Sequence, residues 1–266
     1  MTALAHHLGV RTLNVSRPPV DRAKALLEYL WHCDERYLVL TEISAGGGSA
    51  LIESVCRAAG YAVASSLGRD APAKALGTLV IARGATMGRD PSFGPLARMP
   101  ERALSLSIEG EGAAIRLIAV YGAASDPVRY SSAAQRLRKR EWLTGFLEAI
   151  ATAPPAPTLL VGDLNIVAPG HRDALPYVLA QERAAHARLV GDLGFTDLYA
   201  AHAPRPAAPT WVDHTGLGCR YDYVLATPDL AARPWRVDID ETPRLSGLTD
   251  HAALVAILPQ GGSTVD

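Results

Sequence analysis

The sequence predicts an α/β fold in which two mixed β-sheets pack face to face, with helices covering their outer faces. Three observations support this fold class. About nine short segments rich in apolar and β-branched residues are typical of strands. Only about four longer segments have helical character. Several neighbouring strand segments have no helix between them, which argues against a doubly wound parallel sheet.

The predicted elements follow one another irregularly along the chain. The strands are Val10–Val15, Tyr37–Thr41, Leu76–Ile81, Ala103–Ile108, Ile115–Tyr121, Thr158–Val161, Tyr221–Leu225, Trp235–Ile239 and Ala252–Leu258. The helices are Val20–His32, Ser49–Ala59, Ser131–Ile150 and about Ala174–Leu193. The triplet Gly46-Gly47-Gly48 predicts a loop before the second helix, with Ser49 as the N-cap. The proline-rich segment Ala153–Pro157 separates the third helix from the next strand.

A single domain, residues 1–260, accounts for all these elements, and we expect residues 261–266 to be a frayed tail. No repeat of fixed period and no low-complexity block divides the 266 residues. Apolar residues make up 48% of the chain and charged residues 20%, which excludes a disordered or collagen-like protein. A chain of this length buries a sizeable core.

The charges of the chain are nearly balanced. It contains 26 Lys and Arg residues and 27 Asp and Glu residues, so its net charge is −1. This balance excludes a polycation that coats nucleic acid, although it leaves room for a local basic patch.

The cysteines and the apolar segments indicate in which cellular compartment the protein is expected. Cys33, Cys56 and Cys219 are odd in number and form no Cys-x-x-Cys pair, which argues against a disulfide framework or a thiolate zinc site and fits a reducing cytosol. No apolar run approaches the roughly 18 residues of a membrane-spanning helix. Charged residues near the start, such as Asp21 and Arg22, interrupt any signal-peptide core. We therefore expect a cytoplasmic monomer without a membrane partner.

Polar residues that suit catalysis stand where apolar strands end. They are Asn14, Glu42, Asp163, Asn165, Asp250 and His251. If the last strand runs antiparallel to the others, all of them meet at one sheet edge, where strands hold them rigidly. A turn-forming Asp or Asn is the alternative for any single position, but it explains the whole set less well.

The residue types fit one reaction. Carboxylates and an Asn amide are hard oxygen ligands, which suit Mg²⁺ or Mn²⁺. An Asp close to an Asn, as in Gly162-Asp163-Leu164-Asn165, can orient a water molecule and a phosphate oxygen. A His held by a carboxylate can offer positive charge to a developing oxyanion. Metal-assisted attack of water on phosphorus needs these three parts.

Short motifs in a fixed order resemble those of the endonuclease/exonuclease/phosphatase superfamily, which includes exonuclease III, the AP endonucleases and DNase I. The motifs are Leu13-Asn14-Val15, Leu40-Thr41-Glu42, Val120-Tyr121, Gly162-Asp163-Leu164-Asn165, Arg220-Tyr221-Asp222-Tyr223 and Thr249-Asp250-His251. Each motif alone is weak, whereas the full set in this order is specific. The resemblance implies a DNase I-like four-layer α/β sandwich, which agrees with the predicted elements.

The resemblance also implies roles for individual residues. Glu42 resembles the principal ligand of an Mg²⁺ or Mn²⁺ ion, with Asn14 and Asp250 close to the ion or the phosphate. In catalysis, the resemblance implies that Asp163 orients or deprotonates the attacking water and that Asn165 clamps a phosphate oxygen. His251 would stabilise the transition state, and Asp222 would hold the imidazole of His251. Tyr121 is the fifth residue implied in catalysis. Tyr121 resembles the tyrosine that the exonuclease III branch places against the phosphate. A core tyrosine at the end of a strand is the alternative.

The chain departs from the AP endonuclease pattern at several points. Those enzymes usually have Trp-Asn-Val-Asn-Gly near the start, where this chain has Leu13-Asn14-Val15-Ser16-Arg17. Gly122 follows Tyr121 where Pro-Asn is usual, and Thr249 replaces a serine. Trp211 lies in a segment that resembles their aromatic recognition loop but is shorter. It stacks on a base or caps a sugar pocket, or it is a core tryptophan.

A basic cluster and one histidine are further candidates for substrate binding. The cluster comprises Arg129, Arg136, Arg138, Lys139 and Arg140, and at helical spacing Arg136 and Arg140 share a face. It predicts either a contact with phosphate backbone or a solvated helix face whose stems cover apolar surface. His171 follows the Asp163–Asn165 turn and could reach a substrate.

Three functions remain open at this stage. The leading hypothesis is an Mg²⁺-dependent phosphodiester hydrolase that acts on DNA or RNA by in-line attack of water. A phosphatase or phosphodiesterase for a small phosphorylated metabolite or nucleotide is the alternative, because the charge is near neutral and the recognition loop is short. The third is a non-catalytic binding module that retains the fold.

Overall fold

A computed structural model describes residues 8–68, 71–72, 74–94, 96–110, 113–124, 132–168, 180–202 and 208–259. Among these residues the strands are β1 Leu8–Asn14, β2 Tyr37–Ser44, β3 Ala62–Ser65, β4 Leu76–Ala82, β5 Met87–Arg89, β6 Ala103–Ile108, β7 Ile115–Tyr121, β8 Thr158–Asp163, β9 Thr196–Asp197, β10 Trp211–Val212, β11 Gly218–Cys219, β12 Asp222–Ala226, β13 Arg236–Asp240 and β14 Ala253–Leu258. The helices are α1 Val20–Trp31, α2 Gly47–Ala58, α3 Ala133–Thr152, α4 Ala180–Ala187, α5 Leu198–His202, α6 Pro228–Ala231 and α7 Thr242–Leu245. None of the helices described here is long and apolar enough to cross a membrane.

The strands form two six-stranded mixed sheets and a short ribbon. The first sheet has the order β13-β14-β1-β2-β4-β3, the second has the order β5-β6-β7-β8-β12-β9, and β10 pairs with β11. In the first sheet β1 is parallel to β2 and antiparallel to β14. In the second, β8 is parallel to β7 and antiparallel to β12. The carboxyl ends of β1, β2, β7 and β8 therefore meet the amino ends of β12 and β14.

Three hydrophobic cores separate the layers. The core between the sheets joins residues such as Val39 of the first sheet and Val161 of the second. On the outer face of the first sheet, Leu13 packs with Leu26 of α1, and on the second, Trp142 of α3 packs with neighbouring apolar residues. The layers are thus helices, sheet, sheet and helices. The central strands are buried on both faces, which explains their nearly continuous apolar runs.

The predicted fold class is correct, and the predicted strands all occur with small shifts at their ends. The sequence missed β3, β5, β9, β10 and β11, which are two to four residues long and thus too short to show a periodicity. The third predicted helix begins one residue after Ser132, whose side chain forms a capping box with Gln135. The described part of the last predicted helix is α4 followed by a π-helical turn, Arg188–Asp192.

The predicted loop at the glycine triplet is wrong. Helix α2 begins at Gly47 with Gly46 as its N-cap, and the Ser49 hydroxyl inside the first turn accepts a hydrogen bond from the Ser44 backbone. A Cβ on Gly48 would lie 1.9 Å from the carbonyl oxygen of Pro18. The glycine therefore serves the close approach of α2 to the segment after β1, which the sequence pattern alone does not show.

Candidate active site

The polar side chains at the strand ends surround one cavity. Its volume is about 170 Å³, and its lining residues are Asn14, Glu42, Tyr121, Ala124, Asp163, Asn165, Trp211, Tyr221, Asp250 and His251. Asn14, Tyr121 and Asp163 are the last residues of β1, β7 and β8, and His251 stands just before β14. The strand directions thus bring the predicted residues together at one edge, as the antiparallel last strand requires. A second cavity, of about 590 Å³, is lined by none of these side chains.

Glu42 reaches the cavity because β2 bulges at this residue. The register of β2 against β4 shifts between Thr41 and Ile43, and Glu42 has φ +57°. A bulge adds one residue to a strand and redirects its side chain. Asn165 also has a left-handed backbone conformation, with φ +51°. Such conformations cost free energy in residues other than glycine, and they cluster at functional sites.

Asp163 is buried and fixed by two hydrogen bonds. The Asn14 amide nitrogen donates to Asp163 Oδ2 at 2.8 Å, and the backbone N–H of Asn165 donates to Asp163 Oδ1 at 2.9 Å. The same Asn14 nitrogen lies 3.1 Å from Glu42 Oε2. Asn14 therefore links the carboxylates of the two sheets, and Asp163 keeps one orientation toward the cavity.

Glycines on both sides allow β7 and β8 to approach closely at this point. A Cβ on Gly162 would lie 2.0 Å from the Val120 carbonyl oxygen, and one on Gly122 would lie 2.0 Å from that of Leu164. Gly162 also has φ +142°. The glycine after Tyr121, a departure from the AP endonuclease pattern, is therefore required by the packing of the Asp163–Asn165 turn.

His251 and Asp222 form the predicted pair. His251 Nδ1 lies 2.8 Å from Asp222 Oδ2, and both side chains are buried. Burial lowers the pKa of His251, but the Asp222 carboxylate more than offsets this, and the pKa is raised to about 9. His251 is therefore an imidazolium at neutral pH. Burial and the nearby Asp222 charge raise the pKa of Asp163, while His251 lowers it.

Two sets of residues at this edge offer metal ligands. The ligand atoms of Asp163, Asp222 and His251 all lie within 4.8 Å of one another. Within this group His251 Nδ1 and Asp222 already pair with each other, and Asp163 accepts its hydrogen bonds from Asn14 and the Asn165 backbone. Of the predicted ligands, Glu42 and Asn14 are in contact. Asp250 lines the same cavity, and its Oδ2 accepts a hydrogen bond of 2.9 Å from Trp211 Nε1.

Tyr121 and Trp211 form part of the cavity wall. Burial, followed by the nearby Glu42 charge, raises the pKa of the Tyr121 phenol. Trp211 pairs with His251 through an isolated β-bridge, which holds the β10–β11 ribbon at the site. The half-buried Trp211 ring lies 5.6 Å from that of Tyr221. Both aromatic residues thus reach the cavity as well as packing against neighbours.

Residues 15–251 match the Endonuclease/Exonuclease/phosphatase family. The chain belongs to this family. The match includes the polar residues at the ends of β2, β7, β8 and β12, together with His251, and residue 14 lies just before it. No curated protein matches the chain.

Members of the DNase I-like superfamily with solved structures share the fold. An AP endonuclease from Archaeoglobus fulgidus is 22% identical, with a TM-score of 0.74 over 94% of this chain and 99% of that one. A variant of the 3′ phosphatase NExo from Neisseria, bound to product DNA hairpin, is also 22% identical, with a TM-score of 0.73 over 95% and 99%. Humanized D. rerio TDP2 is 17% identical, with a TM-score of 0.65 over 96% and 99%. At these identities the likeness establishes the DNase I-like fold.

The structure separates the predicted basic cluster into exposed arginines and one buried lysine. Arg136, Arg138 and Arg140 are exposed on α3, but Lys139 is buried, so it belongs to no solvated or phosphate-binding face. The Lys139 ammonium donates to Glu182 Oε1 and to the Asn165 carbonyl oxygen, each at 2.7 Å. Arg129 and His171 lie outside the described residues.

Arg102 makes a contact at the site that no sequence pattern indicated. Its guanidinium lies 4.6 Å from the centre of the Tyr121 ring, and its Nη1 donates to the Gly122 carbonyl oxygen at 2.8 Å. Arg102 comes just before β6, where no motif and no charge pattern marks it. Only the pairing of β6 with β7 brings it beside the tyrosine.

Proposed function

We propose that the protein is a divalent-metal-dependent phosphodiester hydrolase that acts on nucleic acid. The observation that carries this proposal is the convergence of Glu42, Asn14, Asp163 and the Asp222–His251 pair on one cavity. Carboxylates, an amide and a charged imidazole supply a metal ligand, a base and an electrostatic stabiliser. Membership in the family supports phosphoester chemistry.

The donor set fits Mg²⁺ or Mn²⁺. Glu42 is the ligand in this proposal, with Asn14 and Asp250 beside it. The other acidic side chains at this edge already have partners, because Asp222 pairs with His251 and Asp163 accepts two hydrogen bonds. These are oxygen donors, which hard cations prefer. Carboxylates that share a small cavity also repel one another unless a cation is near them. When bound, the ion supplies Lewis-acid stabilisation of charge on phosphoryl oxygens.

The residues of the chain perform the remaining steps. Asp163, whose pKa is raised, orients the attacking water and accepts its proton. The His251 imidazolium stabilises the negative charge that develops on the phosphoryl oxygens, and Asp222 keeps the ring charged and oriented. Asn165 clamps a phosphate oxygen, and Tyr121 lies against the phosphate. Asn165 holds its position through the contact of its backbone with Lys139.

Three features favour nucleic acid as the substrate. The Neisseria relative in fold is a 3′ phosphatase bound to a product DNA hairpin, and others are AP endonucleases. Arg136 and Arg140 are exposed on α3, where they contact phosphate backbone in this proposal. Trp211 at the cavity wall can stack on a base, and His171 is the further substrate-binding candidate.

A small phosphorylated metabolite or nucleotide is the second candidate substrate. The cavity of about 170 Å³ and the two-residue strands of the β10–β11 ribbon favour it. A panel of plasmid DNA, abasic duplex, single-stranded RNA, bis-p-nitrophenyl phosphate and p-nitrophenyl phosphate, with Mg²⁺ or Mn²⁺, separates the two. We expect polynucleotides and the diester to be cleaved. Turnover of the monoester alone would contradict nuclease action, and no turnover at all would favour a non-catalytic binding module.

We further propose that residues 1–260 form one domain. One core receives side chains from both sheets, which supports this proposal. Limited proteolysis tests it, because a single domain gives one protected fragment that contains both sheets.

Glu42→Gln should weaken metal binding by about tenfold or more, because it removes a full negative charge while keeping the shape of the side chain. Isothermal titration of the protein with Mn²⁺ measures the change, and turnover should fall with affinity. Glu53→Gln is the matched control, since Glu53 is a partly exposed glutamate on α2 paired with Arg57. Equal Mn²⁺ affinity in the two variants would remove Glu42 from the ligands.

Removal of both Arg136 and Arg140 should flatten the plot of log DNA affinity against log salt by roughly one unit per lost contact. The physical reason is that each phosphate contact releases condensed counterions. Fluorescence anisotropy of a labelled duplex across a salt series measures the slope. The control removes two exposed arginines far along the fold from α3: Arg57 of α2 and Arg236 of β13, the edge strand of the first sheet. Equal slopes in the two variants would make the α3 arginines a solvated face.

A further inference from the structure

Arg17 stands in a backbone conformation that disfavours it. Ser16 has φ +49° and Arg17 has φ +47°, both in the left-handed region. That region costs free energy for a residue with a Cβ, and glycine adopts it freely. An arginine in such a conformation points to a function of its side chain.

The turn that carries Arg17 is fixed against the Glu42 bulge. The Arg17 backbone N–H donates to the Glu42 carbonyl oxygen at 2.9 Å, and that of Val15 donates to the Thr41 carbonyl oxygen at 3.0 Å. The Ser16 N–H donates to Asn14 Oδ1 at 2.8 Å. The backbone of Arg17 therefore stays beside the cavity, whatever its side chain does.

The side chain of Arg17 meets the carboxylate that we assign to the metal. Arg17 Nε lies 3.1 Å from Glu42 Oε1, and the arginine side chain is 62% exposed. An ion pair whose guanidinium lies largely in water adds little to stability, so a structural role does not explain the arginine. A guanidinium that remains largely in solvent is free to change partners, and its planar fork matches a phosphate group.

We propose that Arg17 binds a phosphate group of the substrate and that Glu42 holds it in the metal-free protein. A divalent ion at Glu42 competes with the guanidinium for the same carboxylate, so metal binding releases Arg17 toward the phosphate. The inference rests on the proposed function, because it takes the substrate to be a phosphoester and Glu42 to be a metal ligand.

Two measurements on Arg17→Gln test this exchange. Isothermal titration with Mn²⁺ alone should show affinity raised by about two- to fivefold, since the competing exposed cation is gone. The KM for a cleaved oligonucleotide should rise by about tenfold, while kcat changes much less, because a phosphate contact made before the transition state is lost. Arg17→Lys should recover part of the KM change. Arg57→Gln is the matched control, because Arg57 forms an exposed ion pair with Glu53 on α2.

The outcomes separate the inference from the function on which it rests. Tighter Mn²⁺ binding together with a raised KM supports the exchange. If wild type cleaves phosphodiesters but only one of the two quantities changes, or neither does, the exchange is overturned and the proposed function stands. If wild type cleaves no phosphoester, both are overturned. Arg17→Gly, which relieves the left-handed strain, should raise the melting temperature and still show both effects, so a folding defect cannot produce them.

Discussion

His251→Asn should lower turnover by about two to four orders of magnitude, which is the scale of losing one electrostatic stabiliser of a transition state. Attack of water on a phosphodiester places negative charge on the phosphoryl oxygens. The imidazolium interacts with that charge more strongly in the transition state than in the ground state, so the loss should appear in kcat. Single-turnover rates on a phosphodiester, with near-UV circular dichroism as a check of folding, measure it.

Asp222→Asn should shift the alkaline limb of the pH–rate profile to lower pH. The Asp222 carboxylate raises the pKa of His251 to about 9, so the imidazolium and the activity persist below that pH and are lost as the pH rises through it. Without this carboxylate the pKa of His251 should fall, because burial lowers it and only the charges of Asp163 and Asp250 still oppose burial. An unshifted limb would assign Asp222 another role.

The double variant His251→Asn/Asp222→Asn tests whether the two residues act as one unit. Their contact of 2.8 Å predicts that the double variant is little slower than His251→Asn alone. Single losses that simply multiply would show that the residues act independently.

Lys139→Met should destabilise the protein by about 3–5 kcal/mol, because it leaves a buried carboxylate without its counter-charge. The side chains of Lys139 and Glu182 are only 2% and 1% exposed, and their charged groups lie 2.7 Å apart. Burial lowers the pKa of Lys139, and the Glu182 charge opposes that shift. Urea unfolding at pH 7 measures the free energy of unfolding.

A second variant separates the charge from the packing. Lys139→Met/Glu182→Leu removes both charges and should recover most of the lost stability. Arg140→Met, at the neighbouring exposed position of α3, should change the free energy of unfolding by less than about 0.5 kcal/mol. If Lys139→Met changes the free energy of unfolding as little as Arg140→Met does, the buried ion pair stabilises the protein no more than the methionine that replaces Lys139.

The sequence predicted the strand ends well because fully buried strands are continuous apolar runs and stop at polar residues. Asp163 follows such a run, and the antiparallel return of β14 brings His251 to the same edge. The register of β12 against β8 places Asp222 beside Asp163. The contact of Asp222 with His251 also needs the two sheets to pack face to face, because β12 belongs to the second sheet and β14 to the first.

Contacts that depend on tertiary packing could not be predicted in this way. Lys139 belongs to a basic run in the sequence, and only the packing of α3 against α4 shows that it faces inward to Glu182. The glycine triplet indicated a loop, because the close approach of Gly48 to Pro18 that explains a glycine in the helix has no signal in the sequence. The left-handed φ of Arg17 has no sequence signal of its own, since no propensity favours arginine there.

Metal add-back to the chelator-treated protein tests the central claim most directly. Wild type stripped with EDTA should not cleave an abasic duplex or bis-p-nitrophenyl phosphate, and Mg²⁺ should restore cleavage of both. Asp163→Asn should lower the restored rate by about a thousandfold or more, because the water loses its base. Asp229→Asn, an exposed carboxylate on α6, should match wild type. Equal cleavage by Asp163→Asn and wild type, or full cleavage in EDTA, would contradict metal-dependent hydrolysis in this cavity.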